Sequence, residues 1–263
     1  MNLKIVIYII LSFCSCYFVR AQCHIDEKAF MPGEVLTYNA YYNWGFIWLN
    51  AGEVEFNVTA KQYEGREVYH IYAFGTTYKS YDWIFKVRER YQSYIDPHTQ
   101  MPLWYERDVV EGSYTAFEDY KFDYEDSVIH TYVQKRKKPG VNGTLPLTFC
   151  LFDVMSAVYY FRSIDFSRFE VGEKIPINMI LDSEAYHLHL RYLGKEEIKT
   201  KNKKKYNCIK CAIQLVEGTL FKGDEDAIIW VTDDKNKIPV MVEAKILVGS
   251  VKAILRDTKG LKH

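Results

Sequence analysis

The sequence predicts an all-β, mainly antiparallel fold: a strongly curved sheet or partly open β-barrel with one short helix near residues 153–162. Three observations carry that expectation. Apolar and polar residues alternate with period two in stretch after stretch, polar turn pairs fall between those stretches at hairpin spacing, and helical periodicity occurs once.

Residues 1–21 read as a secretory signal peptide. Lys4 opens it, an apolar run from Ile5 to Phe13 follows, and Val19 and Ala21 precede a cut after Ala21. The run is far shorter than the roughly 20 apolar residues a membrane-crossing helix needs, and no later run is longer, so no transmembrane span is expected in the mature chain. Lipidation at Cys16, after Ser15, is the alternative to simple cleavage. The expected location is therefore outside the cytoplasm, and residues 22–263 are read as a single β-rich, barrel-like domain.

Along that domain, Val54, Phe56, Val58 and Ala60 alternate with Glu53, Glu55, Asn57 and Thr59, a strand with one buried face. Tyr120, Phe122 and Tyr124 alternate with Asp119, Lys121 and Asp123. The same phase returns at Tyr186, Leu188, Leu190 and Tyr192, and from Ile238 to Val248. Strands that are apolar on one face need a second layer or closure to cover it. Turns are expected at Glu64-Gly65, Asp96-Pro97, Glu125-Asp126, Lys201-Asn202 and Asp233 to Asn236, each too short for a parallel crossover. The helix is expected from Asp153, as cap, to Arg162, with Val154, Ala157, Val158 and Phe161 on one stripe.

Charge and cysteines narrow the function. The chain has 34 basic and 34 acidic side chains, and loss of the signal peptide removes Lys4 and Arg20 but no acid. A near-neutral domain argues against nucleic acid as partner. Cys23, Cys150, Cys208 and Cys211 permit two disulfides in an exported chain. Cys208 and Cys211 lie three apart on an expected strand and point to opposite faces, which disfavours both a local bridge and shared metal ligation.

The 22 Tyr and 15 Phe raise the aromatic share to 16%, and two readings of this excess remain. Tyr38, Tyr42 and Trp44 share one strand face with Leu36 and Ala40 and suit the lining of a half-wet concavity. Strand propensity alone also enriches aromatics. Arg162, at the helix end, is expected to pair with Asp153 or with Asp233, and an Arg162–Asp233 pair in a cavity mouth would hold a ligand headgroup. His187 and His189 share a strand face and are weak metal candidates without a third ligand. The runs Lys135 to Lys138 and Lys201 to Lys205 read as solvated hairpin tips.

Three motifs occur in order: Gly33-Glu34-Val35-Leu36-x-Tyr38 with Ala51-Gly52; Asp153-x-x-Ser156-Ala157-x-Tyr159-Tyr160-x-Arg162; and Trp230-x-Thr232-Asp233-Asp234 with Pro239-Val240. Together, over about Pro32 to Leu255, they resemble the exported bacterial family called domain of unknown function 3108. The resemblance implies a periplasmic or outer-membrane-associated protein with a curved antiparallel sheet, similar to a capsule-linked outer-membrane lipoprotein. It implies no established reaction, no catalytic residues and no cofactor.

No Gly-x-Ser-x-Gly elbow, His-Glu-x-x-His helix or glycine-rich phosphate loop is present. The expected function is thus a non-enzymatic envelope protein that binds an apolar or amphipathic molecule, lipid-like or glycan, or an envelope protein partner. The alternative is a hydrolase with an unrecognised Asp, Glu or His site.

Overall fold

Among the described residues, alternation and turns become fifteen strands and one α-helix. A computed structural model of the chain describes residues 25, 27–44, 46–201, 203–216, 226–245 and 249–263. The signal segment, Cys16 and Cys23 lie outside the described residues, as does 246–248 of the last expected strand. The strands are β1 (Val35–Trp44), β2 (Ile47–Tyr63), β3 (Arg66–Thr77), β4 (Val87–Ile95), β5 (Pro102–Glu111), β6 (Tyr114–Asp123), β7 (Val128–Lys135) and β8 (Val141–Pro146). After them come β9 (Leu151–Phe152), helix α1 (Val154–Arg162), β10 (Lys174–Leu181), β11 (Glu184–Lys199), β12 (Lys205–Gln214), β13 (Asp226–Thr232), β14 (Pro239–Lys245) and β15 (Ser250–Lys259).

All fifteen strands join one sheet in the order β8-β7-β6-β5-β4-β3-β2-β1-β15-β14-β13-β12-β11-β10-β9. Neighbouring strands run antiparallel except β9 and β10. The chain forms one half of the sheet outward from β1 to β8, crosses to the far edge, and returns from β9 to β15 beside β1. Only residues 147–150 connect β8 to β9, the two opposite edges. A connection that short spans at most about 17 Å, so the sheet must curl until its edges nearly meet. Its edges are not laddered together, which makes it an open barrel.

Helix α1 fills the space inside. Asp153 caps it as expected, accepting from the amides of Met155 at 2.7 Å and Ser156 at 2.9 Å. Burial does not follow the anticipated stripe: Ala157 and Phe161 are buried, but Val154 and Val158 are the two half-buried residues of a helix otherwise enclosed all round. Phe152, Ala157, Tyr160 and Phe161 pack with Ile175, Leu190 and Ile229 of the returning half. Met155 and Tyr159 pack with Phe30, Ile71, Tyr105 and Ile129 of the outgoing half. Each large apolar side chain so enclosed contributes about 1.5–3 kcal/mol, so a nine-residue helix too short to persist alone is held by the walls it touches.

Gly52 marks a close strand approach. A Cβ there would stand 2.1 Å from the Thr76 carbonyl oxygen, a backbone atom that cannot step aside. Beside it, the β1–β2 register shifts between Ala40 and Tyr41, leaving Ala51 as a bulge. Gly52→Ala should therefore cost about 1–3 kcal/mol, read as a fall in the urea midpoint with an unchanged slope.

Candidate functional site

Inside the outgoing half, side chains line up in cross-strand rows. Ser93, Tyr105 and Tyr120 form one row, and Tyr91, Arg107 and Glu118 the next. Glu118 occupies the inward phase of β6 between Ala116 and Tyr120, where the alternation calls for an apolar residue, and is fully buried. Its charge is met on three sides. Arg107 Nη1 donates to Oε1 at 2.6 Å, the Tyr120 hydroxyl donates to Oε2, and the Asp182 amide donates to Oε2 at 3.2 Å.

Asp182 and Ser183 are the two central residues of the β10–β11 turn, with φ of 54° and 60°. A two-residue hairpin of this kind wants Asn-Gly or Asp-Gly, so Asp-Ser adopts it against local preference. The turn is fixed by docking on the opposite wall: besides the Asp182 bond, the Ser183 amide donates to the Tyr120 hydroxyl at 3.0 Å. Lys135 Nζ adds an ion pair with Asp182 at 2.9 Å. The two halves, laddered to each other at β1 and β15, are thus clasped on the open side by side chains instead of a second strand ladder.

Next to the clasp, Glu89 and Glu111 lie within hydrogen-bonding reach of each other. Burial, then the Glu111 charge, push the Glu89 carboxyl up to about 7, while Arg107 pulls it down. The Tyr105 hydroxyl and Arg107 Nε are buried with no hydrogen-bond partner among the described residues.

Outside the clasp, a groove of about 320 Å³ runs between the β7–β8 hairpin and Asp182-Ser183. Val133, Pro139 and Val141 give it an apolar wall, and its rim carries Lys138 together with Lys135, the latter already paired with Asp182. It adjoins the free edge of β8, whose outer backbone groups pair with no strand among the described residues.

The sequence-predicted residues separate. Tyr38 is buried among Leu36, Ile238 and Leu255 with its ring edge-on to Phe56. Arg162 is also buried, but its partner is neither Asp153 nor Asp233. Its Nη1 and Nη2 donate to Glu34 Oε1 and Oε2 at 2.6 and 2.8 Å, and Nε and Nη2 donate to the Asn236 carbonyl at 3.2 and 3.1 Å. Asp153 is engaged instead by its own helix and by the Ser93 hydroxyl at 2.8 Å. Asp233 pairs with Lys195 at 2.8 Å on the outer surface, although its turn includes Asn236. Tyr42 is half-buried farther along β1, and the Trp44 side chain lies outside what is described.

His187 bonds the Asn178 side chain at 2.8 Å, and among the described residues no cluster of His, Cys, Asp or Glu could hold a metal. Cys150 is disulfide-bonded, while Cys208 and Cys211 are free, buried thiols that desolvation pushes up to about 12. Such thiols are inert at neutral pH.

Among known families, the model for a protein of unknown function (DUF3108) matches residues 37–256. The chain belongs to the DUF3108 family. A β-barrel-like protein of domain of unknown function DUF1849 from Brucella abortus shares its fold, with a TM-score of 0.54 at 11% identity over 87% of this chain and 97% of that one. A putative lipoprotein from Parabacteroides distasonis aligns over 88% of this chain and 98% of its own at 11% identity, with a TM-score of 0.33. No curated protein matches the chain. The barrel-like architecture is therefore shared with a solved structure, while the clasp and groove are read from this DUF3108 chain's own residues. No helix among the described residues is long and apolar enough to cross a membrane.

Proposed function

We propose that this DUF3108 protein is an exported, non-enzymatic envelope protein that binds an anionic amphipathic molecule in the groove beside β8. The observation that carries this reading is the pairing of an apolar wall with a lysine rim in one concavity of about 320 Å³, at the small end of the range for ligand pockets. An acyl or polyprenyl-like tail would lie along Val133, Pro139 and Val141, and an acidic headgroup would meet Lys138 and compete with Asp182 for Lys135. The helix and two core clusters occupy the barrel interior, which favours a ligand at this seam.

Native mass spectrometry of the protein extracted from its own envelope tests the idea. A co-purifying lipid or glycolipid mass is expected, and Val141→Asp with Lys138→Glu should cut its retention about tenfold. A clean apo mass would defeat the proposal. Retention lost in Tyr42→Ala but kept in the groove variant would move the ligand to the neighbourhood of Tyr42 on β1 instead.

One observation favours a hydrolase as second reading: the Glu89 carboxyl, raised by burial and by the Glu111 charge beside it and facing Arg107, has the make-up of a general acid–base group. Turnover of an ester or glycoside panel, abolished by Glu89→Gln with ligand retention intact, would establish it.

A further inference from the structure

Five of the eleven exposed large apolar side chains among the described residues gather on two neighbouring tips at one end of the sheet. Phe46 and Ile47 form the β1–β2 tip, with Phe46 fully exposed; Trp83, Ile84 and Phe85 crown the connection from β3 to β4, with Trp83 83% exposed. The tips lie at the same end of the sheet because β2 lies between β1 and β3. The β3–β4 connection leaves beside Ala51, whose carbonyl accepts from the Tyr78 amide at 2.9 Å, and Ile47 lies four residues along the same strand. Single exposed apolar residues are ordinary on a protein surface, but such a cluster on projecting tips is not.

The surroundings say what covers them. The Trp83 indole nitrogen donates to the Ser80 carbonyl at 2.9 Å, so its polar group is satisfied within the loop and the ring presents apolar surface outward. Asp82 is the one acid between Tyr78 and Lys86, and Arg88 neutralises it at 2.6 Å with help from the Thr77 hydroxyl at 2.8 Å. Lys79 and Lys86 are exposed on either side and leave the tip net positive. The connection is also braced. The Gly112 amide donates to the Lys86 carbonyl at 2.7 Å, and the Phe85 ring rests so close over Gly112 that a Cβ there would be 2.8 Å from it.

We infer that these two tips dock the protein on an anionic lipid bilayer, with Trp83, Ile84 and Phe46 entering the interface and Lys79 and Lys86 meeting lipid headgroups. A convex apolar tip needs a cavity in a protein partner, whereas a bilayer deforms around it. Aromatic side chains flanked by lysines are the composition that interfacial insertion favours. The site is separate from the groove beside β8, so either can fail without the other.

Flotation with vesicles of phosphatidylglycerol and phosphatidylcholine in equal parts tests the docking. The wild type should float with them, and Trp83→Ser with Ile84→Asp should lower the partition coefficient by about tenfold or more. Lys79→Ala with Lys86→Ala should remove most of the salt-sensitive part of binding. A local readout guards against attachment elsewhere on the chain: brominated acyl chains should quench emission in the wild type more than in Trp83→Phe. Unaltered flotation of the tip variant, with equal quenching in both proteins, would overturn the inference. So would self-association that the tip variant abolishes in the absence of vesicle binding, which would assign the tips to a second copy of the chain. Circular dichroism confirms that each exposed-loop variant is folded.

Discussion

Arg162→Ala should lower the free energy of unfolding by about 3–5 kcal/mol, the largest loss expected from any single substitution in this chain's predicted set. Arg162 and Glu34 are 1% and 0% exposed and bonded through both guanidinium nitrogens, so removing either strands a full charge in the core. The aromatic surroundings, Tyr159 at 5.1 Å and Phe30 at 5.7 Å, offer the guanidinium ring faces but the carboxylate no donor. The pair also ties together four distant pieces of chain. Glu34 precedes β1, Arg162 ends the helix, the Asn236 carbonyl belongs to the β13–β14 turn, and the Asn236 side chain bonds the His263 backbone in both directions. Glu34→Leu with Arg162→Met should recover most of either single loss, because a hydrophobic pair leaves no buried charge. Urea unfolding of the wild type, Glu34→Leu, Arg162→Met and the double variant gives the coupling energy; purely additive losses would show that the two side chains act independently.

How far the sequence discloses this arrangement depends on the range of each interaction. Period-two alternation and turn chemistry are local, so the strands around Val58, Tyr120 and Leu190 and the hairpins at Glu64-Gly65 and Asp96-Pro97 stand where the pattern puts them. Asp153 is legible as a helix cap for the same reason. The Arg162 partner is not, because 128 residues separate it from Glu34 and nearer carboxylates compete for the assignment. The clasp escapes the sequence reading although a signal is present. Two residues before Tyr120, in its own phase, lies Glu118, and Arg107 stands likewise between Tyr105 and Val109. A charged residue on the buried phase of a strand must be paired or used, and that rule singles out both. The groove is of another kind: it forms only where the β10–β11 turn lands on β6 and β7, a contact set by the curl of the whole sheet.

The carboxyl pair beside the clasp carries its own pH dependence. Glu89→Gln should match the wild type closely at pH 5 and exceed it at pH 8, the difference widening by about 2–3 kcal/mol between them. The sign follows from proton counts. Burial and Glu111 raise the folded carboxyl from 4.5 to about 7, so between those values the folded state holds more protons than the unfolded one. Stability then falls as pH rises through the window and levels off above it. Glu111 on β5 and Arg107 on the same strand face Glu89, with Tyr91 on its own strand and backbone at Gly75 of β3 behind it. Asp153, pushed by burial up to about 6, acts in the same direction. His70, held below its usual value by burial, acts in the opposite one. Both are common to the two proteins and cancel in the comparison. The amide introduced by Glu89→Gln keeps a hydrogen bond to Glu111 without the second charge, so thermal or urea unfolding across that pH range isolates the carboxyl pair. Parallel curves for wild type and variant would mean that Glu89 ionises as an ordinary surface acid, and the hydrolytic reading of the pair would fall with it.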